Sequence, residues 1–150
     1  VLVYLAVSAD LRQSWILVSV SDDDDPNGAW CNRALKGNAN GSDTVNNWSD
    51  YEGLGFDDQA VYVVPNQFTW EGNFAYAKVR ILPKAALYDT SCPAITWTDL
   101  WDLRFPEYQG IDQFLNFRVF TIRPAETFGH PEHIALAREI RGLLEGGDAP

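Results

Sequence analysis

The chain has 150 residues, of which 46% are hydrophobic and 13% aromatic, and its formal net charge is −10 at pH 7. This apolar content is enough for a folded core and excludes a disordered polymer, and no apolar run approaches the roughly 18 residues of a membrane-spanning helix. The negative charge disfavours binding to nucleic acids and to anionic membranes, because both present phosphate groups.

Short apolar segments separated by turn-forming residues predict an all-β fold. Strand-sized runs occupy residues 1–8, 14–21, 29–35, 59–64, 74–82 and 114–122, and a more interrupted apolar run occupies residues 94–105. β-Branched and aromatic residues in runs bounded by Gly, Pro, Asn and Asp are typical of strands. Between these runs, the polar segment 36–49 is predicted to be a surface loop, residues 71–73 a hairpin tip, and residues 84–88 a short helical turn.

The last part of the chain has a different pattern. Residues 131–145 carry apolar side chains at helical spacing, and Pro131 suits the first turn of a helix. The apolar positions are Ile134, Ala137, Ile140 and Leu144. The sequence therefore predicts a partial β domain over residues 1–130 and a helical tail over residues 131–150, which is either a capping element or foreign to the strands.

A weak internal repeat indicates how the strands are grouped. The triplets that begin at Gly55 and Gly110 (GFD and GID) each precede a strand and lie 55 positions apart. This interval is close to the roughly 40–50 residues of a four-stranded propeller blade. The predicted fold class is all-β, with antiparallel four-stranded meanders that form about two blades of a β-propeller, followed by a C-terminal helix.

Several segments resemble those of a known group of proteins. Residues 18–30 (VSVSDDDDPNGAW) are similar to a hairpin pattern S-x-x-x-D-P-x-G-x-W, and residues 74–88 (FAYAKVRILPKAALY) and 123–129 (RPAETFG) are also similar to that group. A further pattern is matched by Trp48, Asp50, Tyr51, Gly55, Asp57, Tyr62, Asn66 and Phe68. Residues 14–129 thus resemble large secreted bacterial β-propeller-like proteins, some of them sialidase-like.

The resemblance implies a multi-blade propeller, of which this chain holds about two blades, and it carries no catalytic residue to this sequence. Glu52 stands where that group has a proline, which implies a looser turn there. The residues after His130 do not resemble the continuation found in the group.

The run of four aspartates at Asp22–Asp25 is the most conspicuous charged feature. Ca²⁺ takes roughly six to eight oxygen ligands, but the ligand spacing of an EF-hand is absent here. The alternative is a solvated hairpin tip, which also partly resembles the structural Asp-box of sialidases through Ser19, Ser21 and Trp30. We predict that no calcium ion is held, because successive carboxylates on an extended turn point in different directions.

No spacing singles out a catalytic site, so the catalytic residues are unknown from the sequence. A glycoside hydrolase needs two facing carboxylates, for which the candidates are Asp50, Asp57, Asp58, Asp99 and Asp102. A sialidase also needs three arginines, and the candidates Arg12, Arg33, Arg80, Arg104, Arg118 and Arg123 are equally unmarked. His130 and His133 lack the HExxH zinc pattern and suit a helix N-terminus. We predict no metal and no cofactor.

Aromatic residues in or near predicted loops are the best candidates for a binding site. They are Trp48, Tyr51, Trp70, Trp97 and Trp101, together with the neighbouring carboxylate of Asp50. Exposed aromatic rings beside Asp and Asn suit stacking against sugars, whereas propeller blades also bury large aromatic side chains between their sheets. Both interpretations stay open on sequence alone.

The cysteines and the start of the chain bear on its setting. Cys31 and Cys92 are the only cysteines, and they either pair or remain separate buried thiols. Val1 begins directly on an apolar run, which favours a piece of a larger protein.

The predicted function is an extracellular or periplasmic propeller segment that displays loops to a glycan or protein ligand beside adjacent blades of its parent chain. The alternatives are part of a sialidase-like glycoside hydrolase, with an incomplete catalytic site in this chain, and a purely architectural segment.

Overall fold

The computed structural model describes residues 1–104 and 118–124. Within them the chain forms strands and one short helix. In chain order these are β1 (Leu2–Ser8), β2 (Gln13–Ser21), β3 (Trp30–Lys36), β4 (Ala39–Asn40), β5 (Asp43–Thr44), β6 (Asn47–Phe56), β7 (Ala60–Thr69), β8 (Phe74–Pro83), α1 (Lys84–Leu87) and β9 (Thr98–Trp101).

All strand pairs are antiparallel, and neighbours in the sheets are neighbours in sequence. β1, β2 and β3 form a three-stranded sheet, β4 and β5 a small hairpin, and β6, β7, β8 and β9 a four-stranded meander. Short connections join most strands, as antiparallel pairs allow, whereas a longer segment that contains α1 joins β8 to β9. The all-β, antiparallel fold class predicted from the sequence is therefore confirmed.

The two larger sheets share one apolar core. Side chains of β2 alternate between buried and half-buried, and Ile16 and Val18 are fully buried. They belong to the same cluster as Val63 of β7 and Leu82 of β8, with Leu87 of α1 closing one side. Burial of such a side chain stabilises the fold by about 1.5–3 kcal/mol, so this shared layer is the main source of stability.

Each strand predicted before residue 104 corresponds to an observed strand, but some bounds differ. β7 continues through Pro65 to Thr69 where the prediction ended it at residue 64, and only Thr98–Trp101 of the run 94–105 is a strand. β6 was not predicted as a strand. The hairpin tip at residues 71–73 forms with Gly72 at φ +87°, and the predicted helical turn is α1. Of the predicted strand 114–122, residues 118–122 form only an isolated bridge between Arg118 and Arg104, so a continuous strand there is wrong for the described part. Residues 114–117 and the predicted helix 131–145 lie outside the described residues.

The prediction of a surface loop over residues 36–49 is wrong. It contains β4 and β5 and enters β6, and Gly37, Ala39 and Ser49 are buried in it. The polar composition is misleading because small residues let this segment approach the core closely. A Cβ atom at Gly37 would lie 2.6 Å from Ser14 Oγ, so only glycine fits without a shift.

A disulfide joins the two halves of the described chain. Cys31 of β3 is bonded to Cys92, 61 residues later, which resolves the alternatives left by the sequence. Arg33 on the same strand donates to the carbonyl oxygens of Leu87 (3.2 Å) and Pro93 (3.2 Å). The segment after α1 is thus held against β3 by a covalent bond and by main-chain hydrogen bonds.

Candidate functional site

The outer face of the four-stranded sheet carries a row of polar and aromatic side chains at one end. The register pairs Trp48 with Phe68, Asp50 with Asn66, and Phe68 with Phe74. Directly opposed residues in an antiparallel pair project from the same face. A register shift between Asp50 and Gly53 interrupts the ladder next to this row.

The shift in β6 is what exposes the tyrosine of this site. Tyr51 has φ +55°, an uncommon conformation for a residue with a side chain. The residue is 57% exposed, while its main-chain N–H donates to the Asp50 carboxylate at 2.9 Å. Bulges of this kind often redirect a side chain out of the regular alternation of a strand.

An open pocket of about 410 Å³ lies over this row. It is lined by Asp50, Tyr51, Asn66, Phe68, Phe120 and Thr121. Phe120 is 60% exposed, and its ring lies edge-on to that of Phe74 at 4.9 Å between centroids. Phe68 in turn contacts Phe74 and Trp48, at 5.9 Å and 5.4 Å. The aromatic wall of the pocket is therefore backed by further aromatic rings.

Two polar groups in the pocket have different roles. Asn66 donates to Thr121 Oγ1 and accepts from the Thr121 N–H, both at 3.0 Å, so it holds the segment with Phe120 in place. Asp50 accepts from the Tyr51 N–H through Oδ1. Within residues 1–104 and 118–124, its Oδ2 has no hydrogen-bond partner and is free to accept from a ligand.

Arg123 restrains Tyr51 from the side. Its Nη2 donates to Tyr51 Oη at 3.2 Å, and its guanidinium carbon lies 5.1 Å from the ring centroid. A cation over an aromatic face is attracted by the ring electrons. The contact fixes the orientation of the ring and covers part of it, and the rest of the ring stays exposed.

The residues proposed from the sequence fall into two groups. Asp50 and Tyr51 line this pocket, and Trp48 supports it from behind through Phe68, with its indole N–H donating to Thr69 O at 3.0 Å. Trp70 is half-buried at the β7–β8 turn, and Trp101 is 47% exposed on β9. Trp97 packs over the Arg80 guanidinium at 4.4 Å. The structure does not bring these last three tryptophans into the pocket.

A buried ionic cluster lies beneath the opposite, inner face of the same sheet. Lys78 and Arg80 are fully buried on β8, and Arg80 forms a two-pronged ion pair with Asp99, with both distances 2.8 Å. Lys78 Nζ donates to the carbonyl oxygens of Gly37 (2.7 Å) and Ala39 (2.8 Å). Burial, and to a smaller extent the charge of Arg80, lower the pKa of Lys78 to about 7, against the opposing effect of Asp99. The side chains of this cluster are buried away from solvent and hold main-chain carbonyl groups in place, so the cluster is not a ligand site.

The other candidate catalytic carboxylates are engaged within the fold. Burial raises the pKa of Asp57, but hydrogen bonds from Tyr62 Oη (2.6 Å) and from two main-chain N–H groups outweigh it and hold that pKa below its ordinary value. Asp102 is similarly held low, against burial, by ion pairs with Arg104 and Arg118. These contacts give the two carboxylates structural roles, since Asp57 holds a turn and Asp102 forms ion pairs.

The acidic hairpin is an ordered turn. Asp23 Oδ1 accepts from the Asp25 N–H at 2.8 Å, and Asp25 Oδ1 accepts from the Asn27 N–H at 2.9 Å. The bonds from Asn27 lower the pKa of Asp25. The Trp30 indole N–H donates to Pro26 O at 3.0 Å and closes the turn. Within the described ranges, no group of three or more Asp, Glu, His or Cys side chains is placed to hold a metal ion.

Comparisons with known proteins identify no relative of this chain. No protein-family model, no curated protein and no solved structure matches the chain. Among the residues that the structure describes, no helix has the length and apolar character needed to cross a membrane. The class that the fold and the site define is therefore an antiparallel β protein with an aromatic surface pocket.

Proposed function

We propose that the chain is a binding module whose pocket, formed around Asp50 and Tyr51, takes a neutral glycan. The observation that carries this proposal is the exposure of Tyr51 and Phe120, 57% and 60%, beside an Asp50 carboxylate oxygen that has no hydrogen-bond partner among the described residues. A sugar ring presents C–H groups on its faces and hydroxyls at its edges. Mostly apolar pockets with a few placed polar groups are typical of ligand sites.

The charge of the pocket supports a neutral ligand. Among the described residues its lining contains Asp50 and no lysine or arginine, and the nearby Arg123 is occupied by Tyr51. An anionic sugar would meet the carboxylate and a protein of net charge −10. A sialidase-like activity receives no comparable support, because Arg104 and Arg118 are both engaged in ion pairs with Asp102 and neither lines the pocket around Asp50.

The setting of the module is also part of the proposal. Both sheets carry exposed apolar residues on faces that point away from the core, Leu2 and Tyr4 on β1 and Leu100 on β9. Such faces suit further sheets packed against them, as in adjacent propeller blades. The disulfide supports an extracellular or periplasmic location, because these bonds persist in oxidising compartments.

The proposal is tested by screening immobilised neutral and sialylated oligosaccharides with the wild-type protein and two variants. Tyr51→Ala should reduce binding by at least about tenfold, since it removes an aromatic contact at the centre of the site. Tyr4→Ala is the matched control, because Tyr4 is equally exposed (55%) but lies on β1. Equal losses in both variants, or no binding to any glycan, would contradict the proposal.

A further inference from the structure

A second cavity, of about 270 Å³, lies beside the Cys31–Cys92 disulfide. The β2–β3 hairpin contributes Asp22, Asp23 and Trp30 to it, and the turn after α1 contributes Tyr88 and Asp89. The cavity is thus built from two segments about sixty residues apart in sequence that the disulfide joins, since 61 positions separate the two cysteines. The glycan proposed above has no part in this site.

The lining combines an apolar base with aromatic and acidic sides. Val20 and Leu87 are almost fully buried at its base, with 3% and 1% exposure. Tyr88 is 49% exposed and Trp30 is half-buried. Three of the lining residues are aspartates, and no lysine, arginine or histidine lines the cavity within the described part of the chain.

The shape of the cavity is set before any ligand arrives. The Trp30 ring is fixed by its hydrogen bond to Pro26 O. The turn that carries Tyr88 is held by Arg33, which donates to Leu87 O and Pro93 O. Asp89 Oδ1 accepts from the Ser91 hydroxyl at 2.7 Å and the Ser91 N–H at 2.9 Å, and these bonds lower its pKa and keep it ionised.

We propose that this cavity is a docking pocket for an arginine side chain of a partner protein. Charge complementarity points to a cation, because three aspartates from two segments line one cavity in a protein of net charge −10. The aromatic walls point to arginine, whose planar guanidinium stacks on rings and donates in a fork to carboxylates. The apolar base suits the methylene stem of that side chain and does not suit a hydrated metal ion.

A pair of peptides tests the ligand chemistry directly. The probes are acetyl-Gly-Arg-Gly-amide and the same peptide with citrulline, which keeps the shape of arginine and removes its charge. Titration is followed through the indole N–H resonance of Trp30, assigned by a Trp30→Phe variant in a nitrogen-15 NMR spectrum. The arginine peptide should shift this resonance and bind at least about tenfold more tightly than the citrulline peptide. Equal affinities, or no shift with either, would overturn the proposal.

Two neighbouring aspartates provide a matched pair of variants. Asp22 lines the cavity and Asp24, in the same turn, does not. Asp22→Asn should weaken binding of the arginine peptide roughly threefold to tenfold, and Asp24→Asn should leave it nearly unchanged at 0.15 M salt. Equal losses of affinity in the two variants would show that the peptide is attracted diffusely to an acidic surface. That result would overturn the proposed docking pocket. A Trp30 shift produced by calcium chloride, and not by the peptide, would also overturn it in favour of a metal site.

Discussion

Lys78 and Arg80 are buried cations in an acidic protein, and their partners explain why the fold tolerates them. Arg80 is balanced by Asp99, and its remaining donors reach the carbonyl oxygens of Lys36 (2.7 Å) and Ala39 (3.1 Å). A buried charge is costly unless it is paired and hydrogen-bonded. Together the two side chains satisfy main-chain acceptors of a segment that lacks a long strand partner.

The lowered pKa of Lys78 predicts a specific pH dependence of stability. The folded pKa is about 7 and the ordinary value is 10.5. Between these values the unfolded chain binds a proton that the folded chain has released, so the free energy of unfolding should rise as the pH increases. The slope is at most about 1.4 kcal/mol per pH unit, and below about pH 7 the contribution is constant because both states are charged.

Urea unfolding at several pH values between 7 and 10 measures this slope. Lys78→Met should flatten it relative to wild type. Lys84→Met is the control, because Lys84 lies half-buried at the start of α1, over the Phe56 ring, and outside the buried cluster. A Lys78→Met variant with the wild-type slope would show that this lysine keeps its ordinary titration in the folded protein.

Part of the candidate site could be predicted from residue types, and part could not. Asp50 and Tyr51 were predicted because an aromatic residue beside a carboxylate, in or near a predicted loop, suits stacking against sugars. Phe120 joins them only through the hydrogen bonds between Asn66 and Thr121, which are 55 residues apart. No local pattern encodes that contact, so the second exposed ring of the pocket was not predicted.

At the scale of elements, alternation of buried side chains was a reliable guide and polarity was not. β2, β8 and the first half of β7 were predicted because each is a run of β-branched and aromatic residues. The second half of β7 was missed because Pro65 and Asn66 resemble a strand end, whereas the strand continues to Thr69. The segment 36–49 was misassigned because its carbonyl groups are satisfied by Lys78 and Arg80, far along the chain. Long-range partners of this kind leave no periodic signal near the residues that they bury.

The disulfide should make a large contribution to the stability of the two-sheet arrangement. It closes a loop of 61 residues, for which chain entropy predicts a stabilisation of about 4 kcal/mol. Denaturant unfolding with and without a dithiol reductant should show a loss of this order. A Cys31→Ser/Cys92→Ser variant should match the reduced protein and be insensitive to the reductant. An unchanged unfolding midpoint after verified reduction would contradict this expectation.

The acidic hairpin should show no specific dependence on calcium. Asp23 and Asp25 already use carboxylate oxygens to hold main-chain N–H groups of the turn. Melting temperatures measured in calcium and in a chelator should therefore agree. A substantial rise with calcium, lost in an Asp23→Asn/Asp24→Asn variant, would show that the turn holds an ion.

The molecule as a whole presents apolar residues on both outer sheet faces, and this predicts self-association of the isolated chain. Tyr4 and Leu2 lie exposed on β1, which pairs only with β2 among the described strands. Exposed, uncharged edge strands readily pair with other chains. Sedimentation velocity should show concentration-dependent association, reduced by Tyr4→Lys and not by Gln59→Lys, which adds the same charge at another exposed position. A stable monomer at high concentration would contradict it.

The central claim is that a glycan binds at the pocket around Asp50 and Tyr51, and NMR mapping of the bound glycan tests it most directly. The best oligosaccharide from the screen is titrated into nitrogen-15-labelled protein, and main-chain shifts are followed residue by residue. The largest changes are expected at Asp50, Tyr51, Phe68 and Phe120, whose side chains line the pocket. Changes centred on Trp70 or Trp101, with none at Tyr51, would contradict it.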